Sequence, residues 1–118
     1  MVLWLAILNG FASAAQFASV TLAWDSSTDP DVVAYRVYWN TNAADVHANF
    51  VEVGAVNTAV VTGLVPGTTY YFVATALDSL GLESSDSNMV SYTVPVVALR
   101  LSPPGNLTPF TTGPPLSP

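Results

Sequence analysis

Residues 64–77 read Leu64-Val65-Pro66-Gly67-Thr68-Thr69-Tyr70-Tyr71-Phe72-Val73-Ala74-Thr75-Ala76-Leu77. Pro66-Gly67 is a turn, because proline presets its own φ and glycine accepts a positive one. Tyr70 to Leu77 is rich in aromatic and β-branched residues and reads as a strong strand. A turn running straight into such a strand, with no helical period on either side, sets the class as all-β.

The same pattern extends outward. Upstream, Val20, Leu22 and Trp24 alternate with Thr21 and Ala23, the period of a half-buried strand. Asp25 to Asp31 is a turn. Val33 to Trp39 alternates again, with Tyr35, Val37 and Trp39 on one face and Arg36 and Tyr38 on the other. Asn40 to Ala44 is a loop, and Phe50–Val53 and Thr58–Thr62 are short strands. Downstream, Asp78 to Ser87 is a polar loop, and Met89–Val94 is the last strand, ended by Pro95. Six strands with frequent turns predict a sandwich or a barrel.

Composition narrows the function classes. The chain has 118 residues, 51% of them hydrophobic and 8% charged, so one domain can bury an adequate core. It has no cysteine, which excludes disulfides, thiolate metal sites and cysteine nucleophiles. The net charge is −6, and Arg36 and Arg100 are the only strong cations. Nucleic-acid binding needs many Lys or Arg against phosphate, so that class is excluded, and electrostatic attachment to anionic lipid with it.

Several segments together resemble the fibronectin type III family. Leu64-Val65-Pro66-Gly67-Thr68-Thr69-Tyr70 looks like its tyrosine corner, in which a tyrosine hydroxyl reaches back to the preceding connection. Val20-Thr21-Leu22-Ala23-Trp24 looks like strand B, with Trp24 as the core tryptophan. Tyr35-Arg36-Val37-Tyr38-Trp39 looks like strand C, and Tyr70 to Ala76 like strand F. The match is most similar to secreted bacterial modules with Thr28-Asp29-Pro30-Asp31-Val32 after strand B and Gly81-Leu82-Glu83-Ser84 before strand G. The resemblance implies an immunoglobulin-like β-sandwich with a core on Trp24, Tyr35, Val37, Leu64, Tyr70 and Phe72, and Pro66 and Gly67 shaping the corner. It also calls for a strand A before Val20. Little chain is left for one, so strand A is expected to be truncated or missing, which would leave strand B as an open edge.

That shortage follows from the reading of the N-terminus. An apolar run from Val2 to Leu8 leads to Ala12-Ser13-Ala14, a small-x-small pattern of signal-peptide cleavage. Residues 1–14 are therefore expected to be a signal peptide, with a secreted or cell-surface product. The run is too short for a comfortable membrane span. Residues 15–95 form the fibronectin type III domain and 96–118 a Pro-rich tail or linker, with six of the nine prolines from Pro103 onward. Val96 to Leu101 is β-prone and could fill the vacant edge in its own chain or, by self-association, in a neighbouring molecule.

Catalytic groups are scarce. His47 is the one histidine. Asp45 two residues away offers a carboxylate beside the imidazole, but no serine is aimed at the pair. No glycine-rich phosphate loop and no Gly-x-Ser-x-Gly is present. In the implied fold the B–C and F–G loops share one pole, which gathers Asp25, Asp29, Asp31, Asp78, Glu83 and Asp86. Such oxygens suit Ca²⁺, the one cofactor the sequence raises. Tyr38, Tyr71 and Tyr92 would form an outward stripe on strands C, F and G, a candidate sugar-binding face. The expected function is a non-catalytic extracellular module that contacts protein or polysaccharide or acts as a spacer. The alternatives are a subunit of a surface assembly joined by strand exchange, or the N-terminal fragment of a larger secreted enzyme.

Overall fold

The computed structural model describes residues 1–6, 17–96 and 104–105. Seven strands run β1 (Leu3–Ala6), β2 (Ala18–Trp24), β3 (Val32–Asn40), β4 (Asn49–Gly54), β5 (Thr58–Leu64), β6 (Thr69–Asp78) and β7 (Val90–Thr93). A 3-10 segment, Ala43–Ala48, lies between β3 and β4. The strands form two antiparallel sheets, one ordered β1-β2-β5 and the other β4-β3-β6-β7. This is an all-β sandwich of the kind the sequence implied.

Strict alternation explains why these segments pair face to face. In β2, Ala18, Val20, Leu22 and Trp24 are buried, and the residues between them are only half-buried. Val37 and Phe72 from the second sheet meet Val20, Leu22, Val61 and Leu64 from the first in one core. Tyr35 packs on Trp24 with ring centroids 5.3 Å apart, a tilted arrangement that aromatic pairs favour. The Trp24 indole N–H is the one buried side-chain polar atom without a partner among the described residues.

The corner is held by its own hydrogen bonds. The Val65 amide donates to the Tyr70 hydroxyl at 3.0 Å. Gly67, at φ +80°, turns the chain where a side chain would be strained. Its amide donates to the Val94 carbonyl, and the Val94 amide to the Thr68 carbonyl. The corner is thereby tied to the end of β7.

The structure bears on four expectations. A strand stands in the strand-A place in a short, four-residue form: Leu3–Ala6 pairs with β2, Leu3 opposite Trp24 and Ala6 opposite Thr21. The apolar N-terminal run alternates there, with Leu3 buried in the core and Trp4 exposed. The Asn88 side chain reaches across to both backbone groups of Leu3, accepting from its amide at 2.9 Å and donating to its carbonyl. The place proposed for Val96–Leu101 is therefore occupied. Val96 itself is exposed, and residues 97–101 lie outside the described residues, as does the expected cleavage point at Ala14. Ala43–Ala48, which overlaps the end of the loop expected over Asn40–Ala44, forms 3-10 turns capped by Asn42, whose side chain accepts from the Ala44 amide. Tyr92 points inward, because β7 pairs it with Tyr70 and gives both the same phase.

Candidate functional site

The polar side chains converge on the outer face of the four-stranded sheet. Register sets Arg36 between Glu52 on β4 and Thr75 on β6, with Tyr38 one row along, between Phe50 and Val73. The β6–β7 loop then folds over this face and lays Glu83 on it. Thr75, itself buried, donates its hydroxyl to Glu83 at 2.6 Å. The Tyr38 hydroxyl donates to the same carboxylate oxygen. Arg36 bonds Glu52 at 2.9 Å and stands 3.5 Å from Glu83. Its guanidinium also lies over the Phe50 ring, 4.9 Å from the centroid, within cation–π range.

These contacts shift ionisation in consistent directions. The hydroxyls of Thr75 and then Tyr38 hold the Glu83 carboxyl below its ordinary value, with Arg36 adding to the effect. Burial, and then the hydrogen bond to Glu83, push the Tyr38 phenol up. Hydrogen bonds to Tyr38 and Glu52 keep Arg36 charged, above its usual range. Each group is held in its ordinary charge state, which suits structure better than proton transfer.

His47 extends the cluster. Its Nε2 lies 2.9 Å from Asp86, so the partner is Asp86 and not the expected Asp45. The imidazole stands edge-on to Tyr38, with centroids 4.6 Å apart. Val46 beside it is buried against Tyr38 and Val73, with Tyr71 packed alongside. The 3-10 segment thus covers Tyr38, and the expected tyrosine stripe is not an open face. Tyr38 and Tyr92 are buried and Tyr71 is half-buried.

The six acids of the loop pole do not act together. Asp29 accepts from the Asp31 amide at 2.9 Å. Asp78 accepts from the amides of Leu80 and Leu82 and fixes the β6–β7 turn. Glu83 is held on the sheet face and Asp86 is paired with His47, while Asp25 and Asp31 are exposed. A shallow cavity of about 230 Å³ lies between the loops, lined in part by Asp29, Asp78, Leu82 and Glu83. Among the described residues no three His, Asp or Glu side chains gather to hold a metal ion. Asp29, Asp78, Glu83 and Asp86 each face a local partner rather than a centre shared with the others. No helix among the described residues is long and apolar enough to cross a membrane.

Comparison with known proteins gives the arrangement its context. A family model described as fibronectin type III domain matches residues 9–93. Chitinase D of Niallia circulans is 38% identical over 89 residues, 75% of this chain and 16% of that protein. Chitinase A1 of the same organism is 40% identical over 74 residues, 62% of this chain and 10% of that protein. The chain thus spans at most about a sixth of the length of these relatives. Among solved structures, the fn3 domain of human contactin 1 aligns with a TM-score of 0.67 at 17% identity, covering 85% of this chain and 80% of that one. That likeness is one of fold.

Proposed function

The chain belongs to the fibronectin type III domain family, and from that premise we propose that it serves as a non-catalytic accessory module of an extracellular protein that acts on polysaccharide. The observation that carries the reading is the pair of chitinase matches. They cover most of this chain but only a small part of each chitinase, so the shared segment is a module within an enzyme. The titratable groups nearest to a catalytic pattern are committed to structure, with His47 on Asp86 and Glu83 on Thr75 and Tyr38. The module's work is then to contact the substrate or to space other domains. Protein contact remains within the same reading, since the sandwich offers broad sheet faces at either side.

Export fits this role, but residues 1–6 are part of the folded sandwich. Leu3 is buried and its backbone is bonded to Asn88, a place that a removed leader would vacate. We take Leu3–Ala6 as belonging to the working module.

The test joins residues 1–118 to a chitinase catalytic domain that lacks other modules. The fusion should release more soluble sugar from chitin powder than the catalytic domain alone, with an equal rate on a soluble chito-oligosaccharide. Equal release from powder by both proteins would overturn the reading.

A further inference from the structure

Charge is unevenly divided between the two sheets. β1, β2 and β5 contain no Asp, Glu, Lys, Arg or His. Among the described residues every charged side chain lies on the other sheet, on the 3-10 segment or in the loops beside it. Register places Trp4, Ala23 and Thr58 in one outward row, and Thr21 and Val60 in the next. Trp4 is 58% exposed and Val60 54%, and Thr58 and Thr62 are exposed along the same face.

What distinguishes Trp4 and Val60 from other exposed apolar residues is that their sheet carries no charged side chain. Burying Trp4 against a ligand recovers apolar area, and no ion has to be stripped of water in the process. The face offers a flat aromatic ring, small apolar neighbours and threonine hydroxyls that donate and accept. A pyranose polymer has the matching chemistry: flat C–H faces for the ring, hydroxyls for the threonines, and no charge. A second copy of this chain matches less well, because each carries a net charge of −6 and copies repel.

We propose that the outer face of the β1-β2-β5 sheet binds a neutral polysaccharide, with Trp4 as the stacking platform and Thr58, Val60 and Thr62 as the flanking floor. This rests on the accessory-module reading and names the surface and ligand class for it. It moves sugar contact from the tyrosines of the four-stranded sheet, which are covered, to the opposite side of the sandwich.

The experiment measures co-sedimentation of the full chain with chitin powder, for the unaltered protein and for Trp4→Ala and Val60→Glu. Both positions are exposed, so the variants should keep their melting temperatures, and circular dichroism checks this. A third variant, Phe50→Ala on the other sheet, serves as control. The expected result is retention of the unaltered protein and of Phe50→Ala, with roughly tenfold weaker binding for Trp4→Ala and Val60→Glu. Titration with chitohexaose should change the tryptophan fluorescence of the unaltered protein and not that of Trp4→Phe. Retention of all variants alike would reject this face and leave the accessory-module reading standing. Absence of chitin binding by any form would reject the inference too, while a fusion that still gains activity on powder would keep the module as a spacer. Concentration-dependent dimerisation, abolished by Val60→Glu and indifferent to chitohexaose, would assign the face to self-association instead.

Discussion

At the residue scale, Glu83 shows how a surface acid can be structural. Sequence reading identifies it as an acidic loop residue and nothing more, since its donors lie 8 and 45 positions away in the chain. Only the fold of the β6–β7 loop onto the sheet brings Thr75 and Tyr38 to it. Its lowered folded pKa fixes the sign of a pH effect. The stabilisation is fully present above the ordinary carboxylate range and is lost as pH falls through the lower folded value. Glu83→Gln should therefore flatten the acid limb of the stability curve in urea titrations at a series of pH values. Glu83→Ala strands the buried Thr75 hydroxyl and should cost about 1–3 kcal/mol at neutral pH, read as a lower urea midpoint. An unchanged midpoint for Glu83→Ala would show the contact to be idle. Tyr70, by contrast, is legible in sequence, because its partner Val65 lies only five residues back, within the same turn.

At the element scale, six strands are legible, β2 and β3 from their two-residue alternation and β6 from its aromatic and β-branched content, since its residues Phe72 to Leu77 are all buried. β1 is not. Val2 to Leu8 is an unbroken apolar run, and such a run reads as a leader; its alternation emerges only when β2 supplies a register. The 3-10 segment is hidden for the opposite reason. It is short and exposed apart from one buried residue, Val46, which decides its seat. Tyr92 had a readable signal: it lies two residues before Val94, which is fully buried, and so shares its phase. β1 is held by the buried Leu3 side chain, the Asn88 clamp and its pairing with β2, so Leu3→Ala should loosen it. The expected loss is about 2–4 kcal/mol, together with faster hydrogen exchange along β2 than along β6. Equal protection of β2 in both proteins would show that β1 contributes nothing to that edge.

At the scale of the whole molecule, the N-terminal segment has two competing uses, as a leader and as a strand. With Leu3–Ala6 taken as the strand, the intact mass of the protein recovered outside an expressing cell should include residues 1–6; a mass beginning at or after Ala15 would assign the segment to export. The division of charge between the sheets has a physical consequence of its own. With its acids gathered on one sheet and one pole, and none on the other sheet, the molecule carries a permanent electric moment along the axis that crosses the sandwich. Near a polyanionic surface that moment exerts a torque, turning the acidic side away and the bare sheet toward the surface. The torque acts over about a Debye length, ~8 Å at physiological ionic strength. Added salt would therefore randomise how the molecule lands on such a surface while leaving the sandwich itself unchanged.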